Sequence, residues 1–97
     1  MIMKLILWNA NKSKKLKEER GICFEDILYY IENEFIIDIR KNPNTKKYGN
    51  QKNYIININN YIYLVPFVEE SGYVFLKTII PSRKFTKLYL GADTQNE

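Results

Sequence analysis

Two short polar links constrain this chain more than any other feature. Asn59-Asn60 joins the run Tyr54–Ile58 to Tyr61–Phe67, and Glu69-Glu70-Ser71-Gly72 leads from there into Tyr73–Ile80. The runs are rich in β-branched and aromatic residues, which suit a pleated surface. Links this short cannot carry a chain to a parallel partner, so successive runs must pair antiparallel. Asn also tolerates the positive φ that a two-residue hairpin needs. The C-terminal half is therefore predicted to hold a three-stranded meander.

The N-terminal half reads differently. Lys4–Trp8 is a short apolar run suited to a first strand. Asn9 or Asn11 then offers an N-cap for a lysine-rich helix over 10–19, and Gly21 offers its stop. Lys14–Glu18 and Lys15–Glu19 stand at i,i+4 and would support that helix modestly. Phe24, Ile27, Leu28 and Ile31 follow at i, i+3, i+4 and i+7, one apolar face of a second helix ending near Asn33. Cys23 and Asp26 have capping-box spacing, with a thiol where a hydroxyl is usual. Phe35–Arg40 is a β-rich run closed by Asn42-Pro43-Asn44, with a polar loop to about Asn50. Ser82 caps a last helix that Gly91 stops. The expected order is β-α-α-β-β-β-β-α. The class is α+β, one domain over 1–97, with both early helices on one face of an antiparallel sheet and a frayed tail over 92–97.

Several chemistries are excluded by what is missing. The chain contains no histidine and one cysteine. A histidine base, a Ser-His-Asp triad, a His or thiolate zinc site and an internal disulfide are ruled out. We therefore expect no metal and no cofactor. A single cysteine suits a reducing cytoplasm. The opening apolar run is too short for a signal peptide or a membrane span, so no membrane partner is expected.

Charge position says more than the net charge of +4. Trp8–Lys17 and Lys77–Lys87 each hold four cations and no acid, and 39–68 holds Arg40, Lys41, Lys46, Lys47 and Lys52 with no acid. The acids gather between Glu18 and Asp38. Such separation builds a dipolar surface that orients an anionic ligand, and RNA is the polyanion favoured. The competing account is a solvated lysine surface.

On an alternating strand over Tyr73–Ile80, Lys77 shares a face with Tyr73, Phe75 and Ile79, while Val74, Leu76, Thr78 and Ile80 face the core. Lys77 would then stand on the open face beside aromatics such as Tyr73 that stack bases. Arg83 and Lys84 open the last helix, whose free amides attract phosphate. Arg20 ends the first helix, where a cation also complements the dipole. Lys12 and Lys15 share one face of that helix. Trp8 and Tyr54, Tyr61 and Tyr63 read as packing residues.

RNA cleavage through the 2′-hydroxyl needs a base, an acid and positive charge on the phosphorane. Lysine is the titrating base this chain offers, if burial or neighbouring cations lower its pKa. Arginine is the phosphate clamp. Lys77, Arg83 and Arg20 are the catalytic candidates, and Lys12, Lys15, Lys84 and Tyr73 the RNA-binding ones.

The segments Trp8-Asn9-Ala10-Asn11-Lys12, Arg20-Gly21-Ile22-Cys23-Phe24-Glu25-Asp26 and Ser82-Arg83-Lys84-Phe85-Thr86-Lys87-Leu88-Tyr89 resemble, in order and spacing, the BrnT family of toxins. The resemblance runs from about residue 4 to residue 90. It implies a RelE-like fold and the toxin of a type II toxin–antitoxin pair, a ribonuclease that slows translation and growth. It also implies a cognate DNA-binding antitoxin as partner, with DNA met only through that complex. Asn9 replaces the family's usual acid, Arg20 its common histidine and Phe85 a common glutamate, while Ile79-Ile80 occupies a Ser-x-Arg stretch. Two other readings follow from these departures: a non-catalytic RNA-binding module of the same fold, or an interaction protein whose cations dock an acidic partner segment.

Overall fold

The Asn59-Asn60 hairpin forms as its chemistry requires. The computed structural model describes residues 4–44, 46–47, 49 and 51–91, and in it Asn59 and Asn60 take φ of 53° and 65°. This turn joins β3 (Gln51–Ile58) to β4 (Tyr61–Glu69) in unbroken antiparallel register from Ile58↔Tyr61 to Gln51↔Val68. A second turn, closed by the Glu70 N–H donating to the Tyr73 carbonyl at 2.8 Å, leads to β5 (Tyr73–Leu76). The expected meander is present. The expected frayed tail and part of the 45–50 loop lie outside the described residues.

The remaining elements are β1 (Leu5–Leu7), α1 (Ala10–Arg20), α2 (Phe24–Glu32), β2 (Ile36–Lys41), β6 (Ile80–Pro81) and α3 (Arg83–Leu90). The described residues thus form an α+β fold of three helices and a mixed six-stranded sheet, ordered β1-β5-β4-β3-β2 with β6 on β4. The sheet is not purely antiparallel as expected. β1 lies parallel to β5, because α1, α2 and the other strands supply the long crossover that a parallel pair needs.

Caps explain the helix bounds. Of the two candidate caps for α1, Asn9 is used: its Oδ1 accepts from the Lys12 N–H at 2.9 Å. Gly21, at φ 77°, ends the helix with its N–H donating to the Lys17 carbonyl. Lys14–Glu18 and Lys15–Glu19 do not close; Lys17 reaches across to Asp26 instead, at 3.3 Å. At the start of α2 the Asp26 carboxylate accepts from the Cys23 N–H at 3.0 Å and from its thiol at 3.4 Å.

Both early helices cover one face of the sheet, as expected. Leu16, Phe24 and Ile27 pack with Tyr54, Ile56, Val65, Phe67, Val74 and Leu76 in the main core. Tyr54 stacks on Phe67 with ring centroids 4.0 Å apart, and the half-buried Trp8 lies 6.0 Å from Phe24. α3 takes the other face. The Ile62 N–H donates to Thr86 Oγ1 at 2.9 Å, and Ile55 and Ile62, which register turns to this side, are fully buried.

The predicted single strand over Tyr73–Ile80 is a correction. Leu76 stands opposite Phe67 and Ile80 opposite Leu64, so four steps along this segment match three along β4. The extra residue is a bulge between β5 and β6, and it reverses which side each later residue faces. Ile79 therefore sits fully buried in the helix-covered core, while Ile80 is 40% exposed on the α3 side. Alternation alone had placed them the other way round.

Candidate nucleic-acid interface

The bulge also builds the most suggestive surface of the molecule. Lys77 is its first residue, and its N–H donates to the Pro66 carbonyl at 2.8 Å. Beside it, between α3 and the ends of β2 and β3, lies a groove of about 800 Å³. Its walls carry Arg40 and Lys41 from β2, Lys77 from the bulge and Lys84 from α3. Its apolar lining is Ile55, Leu64, Pro66, Ile80, Phe85 and Leu88, and among the described residues no Asp or Glu lines it.

Arg40 is the best-positioned of these cations. One guanidinium nitrogen donates to the Tyr89 hydroxyl at 3.2 Å, and that hydroxyl donates to the Asp38 carboxylate at 2.8 Å. The guanidinium carbon lies 5.2 Å from the Phe85 ring centroid, within cation–π range. The Tyr89 hydroxyl, then the Ile39 N–H, hold the Asp38 carboxyl below its usual range, with the Arg40 charge adding to them. Asp38 is thereby kept ionised and Tyr89 is fixed as a link between β2 and α3. Lys77 Nζ stands 5.9 Å from the Phe75 ring and Lys84 Nζ 5.8 Å from Phe85. An anion above a stackable apolar floor is what such an arrangement holds.

The sequence candidates divide. Lys77 and Lys84 meet in the groove. Arg83 opens α3, exposed, and does not line the groove. Tyr73 is exposed on the same face of the sheet, but on β5 and outside the groove. Arg20, Lys12 and Lys15 belong to α1, which packs on the opposite face. A single hollow holding Arg20 with Lys77 and the Arg83-Lys84 pair is therefore not formed. The sheet stands between them, because Leu16 of α1 and the apolar stripe of α2 pack into the large core while α3 covers the other face.

Sequence reasoning missed Arg40 and Lys41 as site residues. Their signal was the acid-free stretch over 39–68, but nothing local says that β2 will border α3. Outside the groove, Glu69 pairs with Lys4 at 2.7 Å and with Lys52 at 3.4 Å. Burial pushes the Cys23 thiol above its ordinary value, and the Glu25 and Asp26 carboxylates add to that against the Asp26 backbone contact. A raised thiol pKa is the wrong direction for a nucleophile, and Cys23 serves as the N-terminal residue before α2.

Among the described residues, no group of three or more His, Cys, Asp or Glu side chains is placed to hold a metal ion. No described helix is long and apolar enough to cross a membrane. No protein-family model, curated protein or solved structure matches this chain.

Proposed function

We propose that the protein is an RNA-directed toxin of RelE-like architecture, the toxin half of a type II toxin–antitoxin pair acting in the cytoplasm. The observation that carries this is the groove: four cations from three separate segments, no Asp or Glu among its described lining residues, and an apolar floor with Phe85. Two helices on one face of a meander, with a terminal helix on the other, support the RelE-like assignment alongside the BrnT-like segments. In this reading Arg40, held by Tyr89, clamps a phosphate. Lys77 and Lys84 neutralise the charge that develops as the 2′-oxygen attacks phosphorus; the 2′-hydroxyl proton passes to water, the P–O5′ bond breaks to leave a 2′,3′-cyclic phosphate, and water returns a proton to the departing 5′-oxygen. Fixed charge of this kind supplies rate without a metal. A cognate DNA-binding antitoxin covers the toxin until it is released.

A second reading is favoured by one observation. Arg20 and Arg83 lie outside the groove, which leaves the scissile phosphate two fewer cations than the sequence suggested. The protein is then an RNA-binding module of the same fold without catalysis.

Incubating the purified protein with total RNA in EDTA separates the two. The toxin reading expects cleavage that Arg40→Ala or Lys77→Ala slows by on the order of 100-fold. Intact RNA with retained, salt-sensitive binding selects the binding module, and RNA neither bound nor cut overturns both.

A further inference from the structure

β2 ends the sheet on one side, and among the described residues no strand lies beyond it. Five of its six residues are exposed. Its hydrogen bonds show which backbone groups face outward. The Asn42 N–H, just past the strand, donates inward to the Gln51 carbonyl at 3.1 Å. Alternation then turns Ile39 and Lys41 outward, and the Ile39 N–H donates to the neighbouring Asp38 Oδ1 at 2.8 Å in place of a strand partner. Apolar side chains border this edge: Phe35 is 53% exposed, Ile37 44% and Ile39 51%. The exposed Tyr29 adds its ring, 6.1 Å from that of Phe35. An unpaired edge with an apolar border is a template for a further strand.

The charges along β2 select that strand. A second copy of β2, related by a two-fold axis, runs antiparallel to the first. Few registers are open to the pair. Centred on Asp38, it sets carboxylate against carboxylate; centred on Arg40 or Lys41, cation against cation. Ile37 is the extra residue of a bulge against β3 and offers no regular centre. Centred on Ile39, the pair sets Asp38 opposite Arg40 of the second copy, twice, with isoleucine on isoleucine between them. Like charges then meet only on the diagonal, at the longer spacing. The strand ends agree. The exposed Glu32 and Glu34 precede β2, while Lys41 closes it and Lys46 and Lys47 follow. Antiparallel pairing turns the acidic start of each copy toward the basic finish of the other.

We propose that the chain self-associates through β2, pairing antiparallel about Ile39 and joining two sheets into one. The Ile39 N–H passes from Asp38 Oδ1 to the Ile39 carbonyl of the second copy, and the freed Oδ1 meets Arg40 of that copy. Asp38 Oδ2 keeps the Tyr89 hydroxyl. The axis crosses the sheet, so both grooves open on the same side, each with its Arg40 near the seam. This pairing does not rest on RNA cleavage.

Sedimentation of the full chain should show a monomer at low micromolar concentration and a dimer toward millimolar, since a strand-sized contact is weak. Ile39→Lys, at an exposed position, should weaken dimerisation by at least about tenfold, with circular dichroism checking the fold. Asp38→Lys and Arg40→Glu each set like charges face to face and should weaken it as much. Mixing these two variants should restore the dimer, because every facing pair is then of opposite charge. In a Cys23→Ser background, Ile39→Cys should cross-link under mild oxidation at least about tenfold faster than Lys41→Cys. Position 39 faces its own image at about 5.5 Å between Cα atoms, within disulfide reach, and position 41 does not face its own.

A monomer at every concentration overturns the proposal. So does a dimer that Ile39→Lys leaves intact, which moves the contact to another face. Equal cross-linking at the two positions, or no rescue on mixing, overturns the register and the assignment with it.

Discussion

Ser13 is buried to 2% exposure at the junction of two helices, and its hydroxyl is used twice. Oγ accepts from the Phe24 N–H at 2.9 Å, one of the free amides at the start of α2, and donates to Glu25 Oε1 at 2.7 Å. Truncating it leaves a buried N–H without a partner. Ser13→Ala should cost about 1–2 kcal/mol in urea denaturation. The same bond, more than any other contact, holds the Glu25 carboxyl below its ordinary pKa. For Asp26, burial pushes upward, but the Cys23 N–H and thiol and the Lys17 ammonium outweigh it, so the net direction is down. A carboxyl depressed in the folded state contributes stability that is fully present above its unfolded value, about 4.3 for Glu. That contribution is lost as pH falls through the folded value. The melting temperature of the wild type should therefore fall from about pH 4.5 downward, and the fall should be shallower in Ser13→Ala. An unchanged acid limb in that variant would remove Glu25 from the account. At the groove the sign is the same: Tyr89→Phe should raise the Asp38 carboxyl toward its ordinary range, read by carbon-detected NMR titration.

At the scale of elements, what was legible and what was not follows from where the determining contact lies. The α2 stripe, the Asn59-Asn60 turn and the Asn9, Gly21 and Ser82 ends are local, and each was readable from its own few residues. The bulge between β5 and β6 was not. Nothing in Lys77-Thr78-Ile79-Ile80 itself says which isoleucine turns inward, since the answer is fixed by register against β4. The parallel β1–β5 pair is illegible for the same reason, because its partners are distant in the chain. That single register step also decides half of the candidate site, by placing Lys77 at the groove and Ile80 on its wall. The two isoleucines test it directly. Ile79→Ala should destabilise by about 2–5 kcal/mol, as for a fully buried isoleucine. Ile80→Ala should cost under about 1 kcal/mol. The reverse order in denaturation midpoints would restore the uninterrupted strand.

At the scale of the molecule, the sheet separates two charged environments. The helix layer carries the lysines of α1 together with most of the acids, and Lys17 pairs there with Asp26. The α3 side gathers Arg40, Lys77 and Lys84 around a groove that Lys41 reaches from its edge, and among the described residues no Asp or Glu lines it; Asp38 stands behind Tyr89. A uniform lysine surface would attract RNA from either side; a separated one attracts it to a single face. Counterion release turns this into a number. Each phosphate neutralised on a single strand contributes about −0.7 to the slope of log K against log salt. Four groove cations therefore predict a slope of about −3 for an oligouridine titrated between low and moderate salt. Lys77→Ala or Lys84→Ala should reduce its magnitude by about 0.7 each. Arg20→Ala and Lys12→Ala, across the sheet, should leave the slope where it is. If the α1 variants instead moved the slope as much as the groove variants did, the nucleic acid would be lying on the helix layer, and the groove would lose its assignment.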